Sequence, residues 1–431
     1  MMVIGAKYSH LRHTRRFSIV VLDRARLNLF KAIEADNRLI RDLQVVYSVA
    51  LMCYTGLWCG NKRAFEIAES LRGTLRVCEA TSMVRVLAGW AIPALLNLKS
   101  MFHPSEVAAL ECPCDDKYWM APTARVWRGL LGSASLPPTP AFAVALAPFS
   151  ILLEAASRAD QAVGVASTPV LDLNPWSAFL VLLTLSSAAM DWSQSWALAV
   201  AIREETTEEF ELGRAHVDGC GFRELVSLLE KRDNIRDAWG AHFTKTGEPY
   251  QPPGTGAYYS EASSLLLKLS QMCLYVQVTD LQDVLGKSGP KGLTAAMGRL
   301  GKWTTAADRE KRSDAGVIPS AVLAVDIISL ASRTGATETA APYNEVATFL
   351  SHVLLWVFVT TATPIQHQQL LEKLRCSGRD GQLILVLETA MSPGDGQHKA
   401  RSYFVLKHAA HSLAKMGTWG PWVRGLASVN I

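Results

Sequence analysis

The chain has 431 residues, of which 49% are hydrophobic and 19% charged, and its formal net charge is +4. This composition excludes a disordered or polyacidic tail, and the small net charge argues against a protein that binds nucleic acid over most of its surface. Residues 1–16 are predicted to be a basic flank, solvated or resembling a nuclear-import patch rather than a DNA-reading surface. Its basic residues are Lys7, Arg12, Arg15 and Arg16.

Apolar residues recur at three- and four-residue steps along the first hundred positions, which is the period of amphipathic helices. This pattern predicts helices over 27–51 and 65–77, and a further helix over 82–102 that is interrupted at Pro93. Residues 103–122 carry His-Pro, Cys-Pro-Cys and Ala-Pro signals, so they are predicted to be irregular. A short helix at about 123–133 and an apolar helix around 141–157 follow.

The second half of the chain is also predicted to be helical. Asn174-Pro175 marks a helix start, after which 176–203 is predicted to form two helices and 204–243 a charged helical stretch. A proline-rich loop at 245–256 offers a possible subdivision near 244–257. Further helices are predicted at about 258–286, 291–311, 317–334, 344–363 and 398–416, and 383–387 is the only strand-like run. The predicted fold class is therefore all-α, a large multi-helix array with an extended linker containing proline and cysteine.

The eight cysteines are scattered through apolar patterns, and the first six residues are too short for the apolar core of a secretory signal. We therefore expect reduced, buried thiols in an intracellular protein. Two segments, 176–201 and 346–363, are apolar enough to be considered as membrane spans. Polar residues interrupt both, and neither has strongly basic flanks, so core helices are the favoured interpretation.

No motif of a known chemistry is complete. The proline-rich loop resembles part of a phosphate-binding loop, but Ala257 stands where its lysine is required. Asp115-Asp116 lacks a third carboxylate one turn later, and Cys112-x-Cys114 lacks a second ligand pair at zinc spacing. His408 and His411 are predicted to be surface polar residues. We expect no enzyme activity, no cofactor and no bound metal, and the chain carries no zinc-finger pattern.

One stretch fits a family of regulators. It reads Met101-Phe102-His103-Pro104, then Leu110-Glu111-Cys112-Pro113-Cys114-Asp115-Asp116-Lys117-Tyr118-Trp119, then Ala124-Arg125-Val126-Trp127. This stretch resembles the linker of the fungal-specific transcription factor domain, the helical regulatory region of many fungal zinc-finger regulators. There a helix ends in a Phe-His-like pair, an extended Leu-Pro-Cys-x-Asp-x-x-Trp segment follows, and a short helix opens with Ala-x-x-Trp.

The resemblance covers roughly residues 17–427. It continues in Gly56-Leu57-Trp58-Cys59-Gly60-Asn61, in Asp280-Leu281-Gln282-Asp283-Val284-Leu285-Gly286, and in Trp419-Gly420-Pro421-Trp422. The family's Trp-x-x-Trp and Glu-x-x-Arg-Arg face before the Phe-His helix is reduced here to a short stretch ending at Trp90.

The resemblance implies a nuclear transcription regulator of a fungal metabolic or biosynthetic gene cluster. Such a protein acts without catalysis, binds coregulator proteins or a finger-bearing transcription factor, and contacts DNA only indirectly or weakly. The alternatives are an intracellular all-α binding or scaffold protein that has lost its DNA-binding module, and an integral membrane protein. Asp115 and Asp116 are expected to face solvent or to cap the next helix. The expected structural anchors of the linker are Phe102, His103, Cys112, Trp119 and Trp127.

Overall fold

The computed structural model has an all-α fold. Its described residues form thirteen α-helices and no strand. The chain divides into two compact units, the first made of Met1–Ala80 with Lys268–Ile431 and the second of Thr81–Leu267. The predicted subdivision near 244–257 lies before the second of these divisions and stays a prediction. The structure describes residues 14–58, 61–77, 110–139, 141, 174, 176–184, 186, 193, 195, 255–286, 288–309, 316–334, 342–375, 381–392 and 398–416.

The first unit opens with three helices, α1 (Thr14–Ala35), α2 (Leu43–Trp58) and α3 (Lys62–Val77), with a 3₁₀ turn between the first two. The helical periodicity predicted over 27–51 is thus divided between α1, the 3₁₀ turn and α2. Asp36 and Asp42 accept bonds from the backbone N–H groups of Arg38 and Gln44, and so they cap the 3₁₀ turn and α2. Asn61 caps α3 in the same way, through the N–H of Ala64.

Gly56 lies where α2 and α3 pack closely. A Cβ at this position would lie 2.7 Å from the carbonyl oxygen of Ala64 and 2.7 Å from the Cβ of Ala68. Favourable carbon contacts are about 3.5–4.0 Å. The two helices can therefore approach this closely only because residue 56 has no side chain.

We expect Gly56→Ala to lower the free energy of unfolding by about 1–3 kcal/mol, because the added methyl group forces α2 and α3 apart. Gly298→Ala is the matched control, since a Cβ there would meet nothing within 4 Å. It should raise stability by about 0.5–1 kcal/mol through the better helix propensity of alanine. Urea unfolding of both variants measures the two effects. A Gly56→Ala protein as stable as the parent would contradict the close approach.

The remaining helices of the first unit pack around one long apolar helix. The chain continues with α4 (Asp116–Trp119) and α5 (Ala124–Leu131) of the second unit and then α6 (Thr255–Cys273), which crosses the division between the units. The helices that follow are α7 (Val278–Asp283), α8 (Gly289–Arg309), α9 (Val317–Thr334), α10 (Pro342–Thr361), α11 (Pro364–Arg375), α12 (Gly381–Met391) and α13 (His398–Met416). The central helix is α10, which contacts α7, α8, α9, α12 and α13 and has almost fully buried inward side chains.

Three predictions for these helices need correction. The helix expected over 258–286 breaks at 274–277, where a turn that contains the buried side chains of Leu274 and Val276 separates α6 from α7. Residues 383–387 belong to α12, whose buried side chains Leu383, Leu387, Ala390 and Met391 recur at helical steps. Leu385 is 62% exposed, whereas a strand would place it on the same face as Leu383 and Leu387. The expected helix over 344–363 is followed by a separate helix, α11, that the sequence analysis did not predict.

The α10 segment accounts for one of the candidate membrane spans. Within the described residues, one helical segment, Tyr343–Thr361, is long and apolar enough to cross a bilayer, and 72% of its apolar window is buried inside the protein. The core helix of a large helical array has this property. The other candidate, 176–201, lies partly outside the described residues.

The described part of the second unit contains two short helices, α4 (Asp116–Trp119) and α5 (Ala124–Leu131), a helical run at 176–184, and residues 255–267 of α6. Within the segment 103–122 that was predicted to be irregular, residues 110–115 and 120–122 form no helix, but α4 at Asp116–Trp119 interrupts it and corrects that prediction. Thr123 begins α5 by accepting a bond from the backbone N–H of Val126 at 3.3 Å. The helix at 176–184 carries the buried apolar run of this unit, Leu180 to Leu183.

Candidate functional site

The linker is held at its Cys-Pro-Cys segment by polar contacts. The carbonyl oxygen of Pro113 accepts bonds from Asn174 Nδ2 at 2.9 Å and from Ser177 Oγ at 3.1 Å. Asn174 also caps the helix that starts at 176, because its Oδ1 accepts from the backbone N–H of Ser177 at 2.8 Å. Asn174 therefore begins this helix and, together with the Ser177 side chain, fixes the linker against it. We call this arrangement the Pro113 clamp.

Cys112 lies at the buried side of the Pro113 clamp and is only 2% exposed. Burial raises the pKa of its thiol to about 11, although a hydrogen bond with Ser177 acts in the opposite direction. Cys114, two residues later, is partly exposed. Cys112 is therefore a neutral, packed side chain and not a reactive thiolate.

The other predicted anchors are placed less fully. Trp127 is half-buried in α5. Phe102, His103 and the side chain of Trp119 lie outside the described residues, so their roles as anchors stay predictions. Tyr118, which was not among the predicted anchors, is a buried side chain within the linker. Asp115 is half-exposed and accepts a bond from the backbone N–H of Lys117 at 3.2 Å, so it caps α4 as predicted.

The cysteines differ in accessibility, which gives a direct test of the linker geometry. We expect a maleimide added to the native protein to modify Cys114 much faster than Cys112, because only Cys114 is solvent-accessible and the Cys112 thiol is protonated at neutral pH. Peptide mass spectrometry after short labelling times measures both rates, and labelling in urea supplies the unfolded reference. Equal native rates would contradict the Pro113 clamp. None of the four described cysteines, Cys53, Cys112, Cys114 and Cys273, forms a disulfide bond.

A pair of histidines joins α10 to α13. His352 Nε2 lies 3.0 Å from His408 Nδ1, and His352 Nδ1 lies 2.8 Å from the carbonyl oxygen of Thr348. A carbonyl oxygen can only accept, so Nδ1 of His352 carries its proton and Nε2 accepts from the Nδ1–H of His408. Full burial lowers the pKa of His352 to about 3, the hydrogen bond to Thr348 raises it, and the neighbouring His408 lowers it further.

The prediction that His408 is a surface residue is therefore wrong, while His411 is exposed as expected. The missed signal was His352 itself. A histidine within an apolar helix needs a buried hydrogen-bonding partner, and His408 was available to supply one. The imidazole rings of His352 and His408 are hydrogen-bonded to each other. In the part of the chain that the structure describes, no cluster of three or more His, Cys, Asp or Glu side chains could ligate a metal.

One concave feature among the described residues is a groove of about 450 Å³ between α1 and α2. This volume is within the range of small-molecule pockets, about 300–1,000 Å³. We call it the α1–α2 groove. It lies wholly within the first unit and is lined by Leu22, Ala25, Asn28, Leu29, Ala32, Ser48, Leu51, Met52 and Thr55.

Comparison with protein-family models, with curated proteins and with solved structures gives no significant match for this chain. The resemblance to the fungal regulatory domain therefore depends on the motifs quoted above.

Proposed function

We propose that this chain is the non-catalytic helical body of a nuclear transcription regulator, which controls a fungal metabolic or biosynthetic gene cluster. It binds coregulator proteins or a finger-bearing transcription factor, and it contacts DNA through them. Binding of a partner shifts the helical array between an active and an inactive arrangement, by the difference in the partner's affinity for the two.

The observation that carries this proposal is the organisation of the linker. The family pattern requires an extended cysteine-containing segment followed by a short Ala-x-x-Trp helix. Residues 110–115 form no helix, Cys112 is buried at the Pro113 clamp, and α5 opens with Ala124 and carries Trp127. Two side chains more than sixty residues away hold this segment, which supports a built structural element and not an incidental loop.

Tethering the whole chain to a reporter gene tests the proposal. The chain is fused to an unrelated DNA-binding domain, and transcription is measured from one reporter with a minimal promoter and one with an active promoter. We expect activation of the first or repression of the second. A fusion carrying Asn174→Ala and Ser177→Ala, which removes both donors to Pro113, should lose most of the effect at equal abundance. A nuclear, well-expressed parent fusion that changes neither reporter would contradict the proposal.

A second candidate function is an intracellular binding or scaffold protein without transcriptional activity. The α1–α2 groove supports this scaffold function as much as the transcriptional function, because a protein of either kind needs a docking surface. The same reporter experiment separates the two, since a scaffold binds its partner but leaves both reporters unchanged.

A further inference from the structure

We propose that the α1–α2 groove is a docking surface for an amphipathic helix of a partner protein, with leucine-like anchors on one face and acidic residues along one flank. This inference deepens the proposed function, on which it rests, by naming the surface and the chemistry of the partner.

The floor of the groove offers apolar contact. Leu22, Leu29 and Met52 supply most of it. The two hydroxyl groups in the lining already have acceptors, because Ser48 Oγ donates to the carbonyl oxygen of Gln44 and Thr55 Oγ1 donates to that of Leu51, both at 2.7 Å. A partner therefore gains by burying apolar side chains here, as in other complexes in which a helix lies in a groove.

The α1 rim of the groove is basic. Arg24, Asn28 and Lys31 follow one another at four- and three-residue steps, which places them in one row along the helix. Asn28 lines the groove, so this row borders it. Arg24 and Lys31 are exposed, and within the described residues neither forms an ion pair. Two positive charges at the edge of an apolar groove are thus available to a partner.

The acidic residues of α1 lie elsewhere on the helix. Asp23 and Glu34 are about 100° round the axis from the basic row, on the side away from the groove. Asp23 is paired with Arg26 at 3.0 Å, so its charge is already balanced. The residues of α1 that border the groove are therefore neutral or positive, although the helix as a whole carries both signs.

The opposite rim, on α2, is uncharged. The sequence of α2 contains no Asp, Glu, Lys or Arg, and Tyr47 on this helix is 40% exposed. One flank of the groove is thus basic and the other is aromatic and neutral. The complementary ligand carries acidic groups along one flank only, which is a property of an acidic amphipathic helix.

The length of the groove also fits a helix. Its lining runs from Leu22 to Ala32 along α1, which is about 15 Å at 1.5 Å per residue, or about three helical turns. The small residues Ala25, Ala32 and Ser48 in the lining allow a third backbone to approach. Phe17, 46% exposed and two turns before Arg24, extends the same row for a longer partner.

Fluorescence polarisation tests the proposal with two labelled peptides of about 16 residues. Both carry leucine at i, i+3, i+4 and i+7; one has glutamate along one flank and the other has lysine at the same positions. We expect the full chain to bind the glutamate peptide about tenfold or more tightly than the lysine peptide at low salt, because each exposed ion pair adds a modest free energy. Equal binding of both peptides, or binding of neither, would overturn the proposal.

Variants of the chain locate the binding surface. Arg24→Glu with Lys31→Glu should weaken binding of the glutamate peptide about tenfold or more and favour the lysine peptide, since attraction becomes repulsion. Lys291→Glu with Lys407→Glu makes the same change in net charge on the exposed surfaces of α8 and α13, and it should leave binding unchanged. If the control weakens binding as much as the rim variant does, the groove is not the site.

Light scattering on the same samples measures the oligomeric state, and so tests whether the groove is filled by a second copy of this chain. If the parent chain is a dimer that the rim variant dissociates, the groove holds a second copy of this chain and the proposal fails. The reporter experiment above is independent of these peptides. Loss of peptide binding with a retained reporter response rejects the docking surface alone, whereas retained binding with a silent reporter rejects the transcriptional role.

Discussion

Phe358→Ala is expected to lower the free energy of unfolding by about 3–5 kcal/mol. Phe358 lies on the central helix α10, its exposed fraction is 0%, and its ring centroid is 5.5 Å from that of His367. Truncation leaves a cavity that the surrounding helices can fill only in part. Because whole domains are stable by only about 5–15 kcal/mol, this one change should remove a large share of the stability.

Phe404→Ala is the matched control, because Phe404 is 42% exposed on α13. It should change stability by less than about 1 kcal/mol. Urea titrations of the three proteins at one pH compare them directly. Equal effects of the two truncations would mean that the Phe358 face of α10 is not a packed core, and the membrane interpretation of this segment would then regain support.

Acidification should destabilise the protein through His352. The pKa of this side chain falls from 6.5 to about 3 on folding, so between these values the unfolded chain binds a proton that the native protein excludes. The contribution of neutral His352 to the free energy of unfolding is therefore fully present above pH 6.5. It is lost progressively as the pH falls below that value. The slope is about 1.4 kcal/mol for each pH unit.

Urea titrations between pH 7.5 and pH 4.5 measure this slope. Carboxylates contribute as well, so the parent is compared with His352→Gln, which cannot take up a proton but can accept a bond from His408. We expect the variant to lose stability less steeply, by about 1.4 kcal/mol per pH unit. His411→Gln, at an exposed position on the same helix as His408, should follow the parent. If the stability of His352→Gln falls with pH as steeply as that of the parent, then His352 is not a buried, neutral partner of His408.

Helical periodicity predicted the fold class and most of the long helices, because an apolar stripe at three- and four-residue steps has few other uses in a large core. It failed where local capping interrupts the pattern. Thr363-Pro364-Ile365-Gln366 is a capping box: Thr363 N–H donates to Gln366 Oε1 at 2.9 Å, and Pro364 takes the first helical position. That signature separates α10 from α11 and was readable from the sequence.

Contacts between distant segments could not be predicted in the same way. Asn174 was recognised as a helix start, but its second role at Pro113 depends on two segments sixty-one positions apart meeting in space. The pairing of His352 with His408 similarly required the packing of α10 against α13. Residue type indicates which side chains need partners, while only the tertiary structure specifies which partners they obtain.

Chromatin immunoprecipitation of the tagged full chain, expressed from its own locus, tests the central claim most directly. The account predicts enrichment at the promoters of a limited set of genes, and loss of that enrichment when the finger-bearing partner is removed. It also predicts that the purified chain alone does not prefer those promoter sequences over scrambled DNA. A chain that is present in the nucleus at normal abundance yet enriched at no promoter would contradict the account.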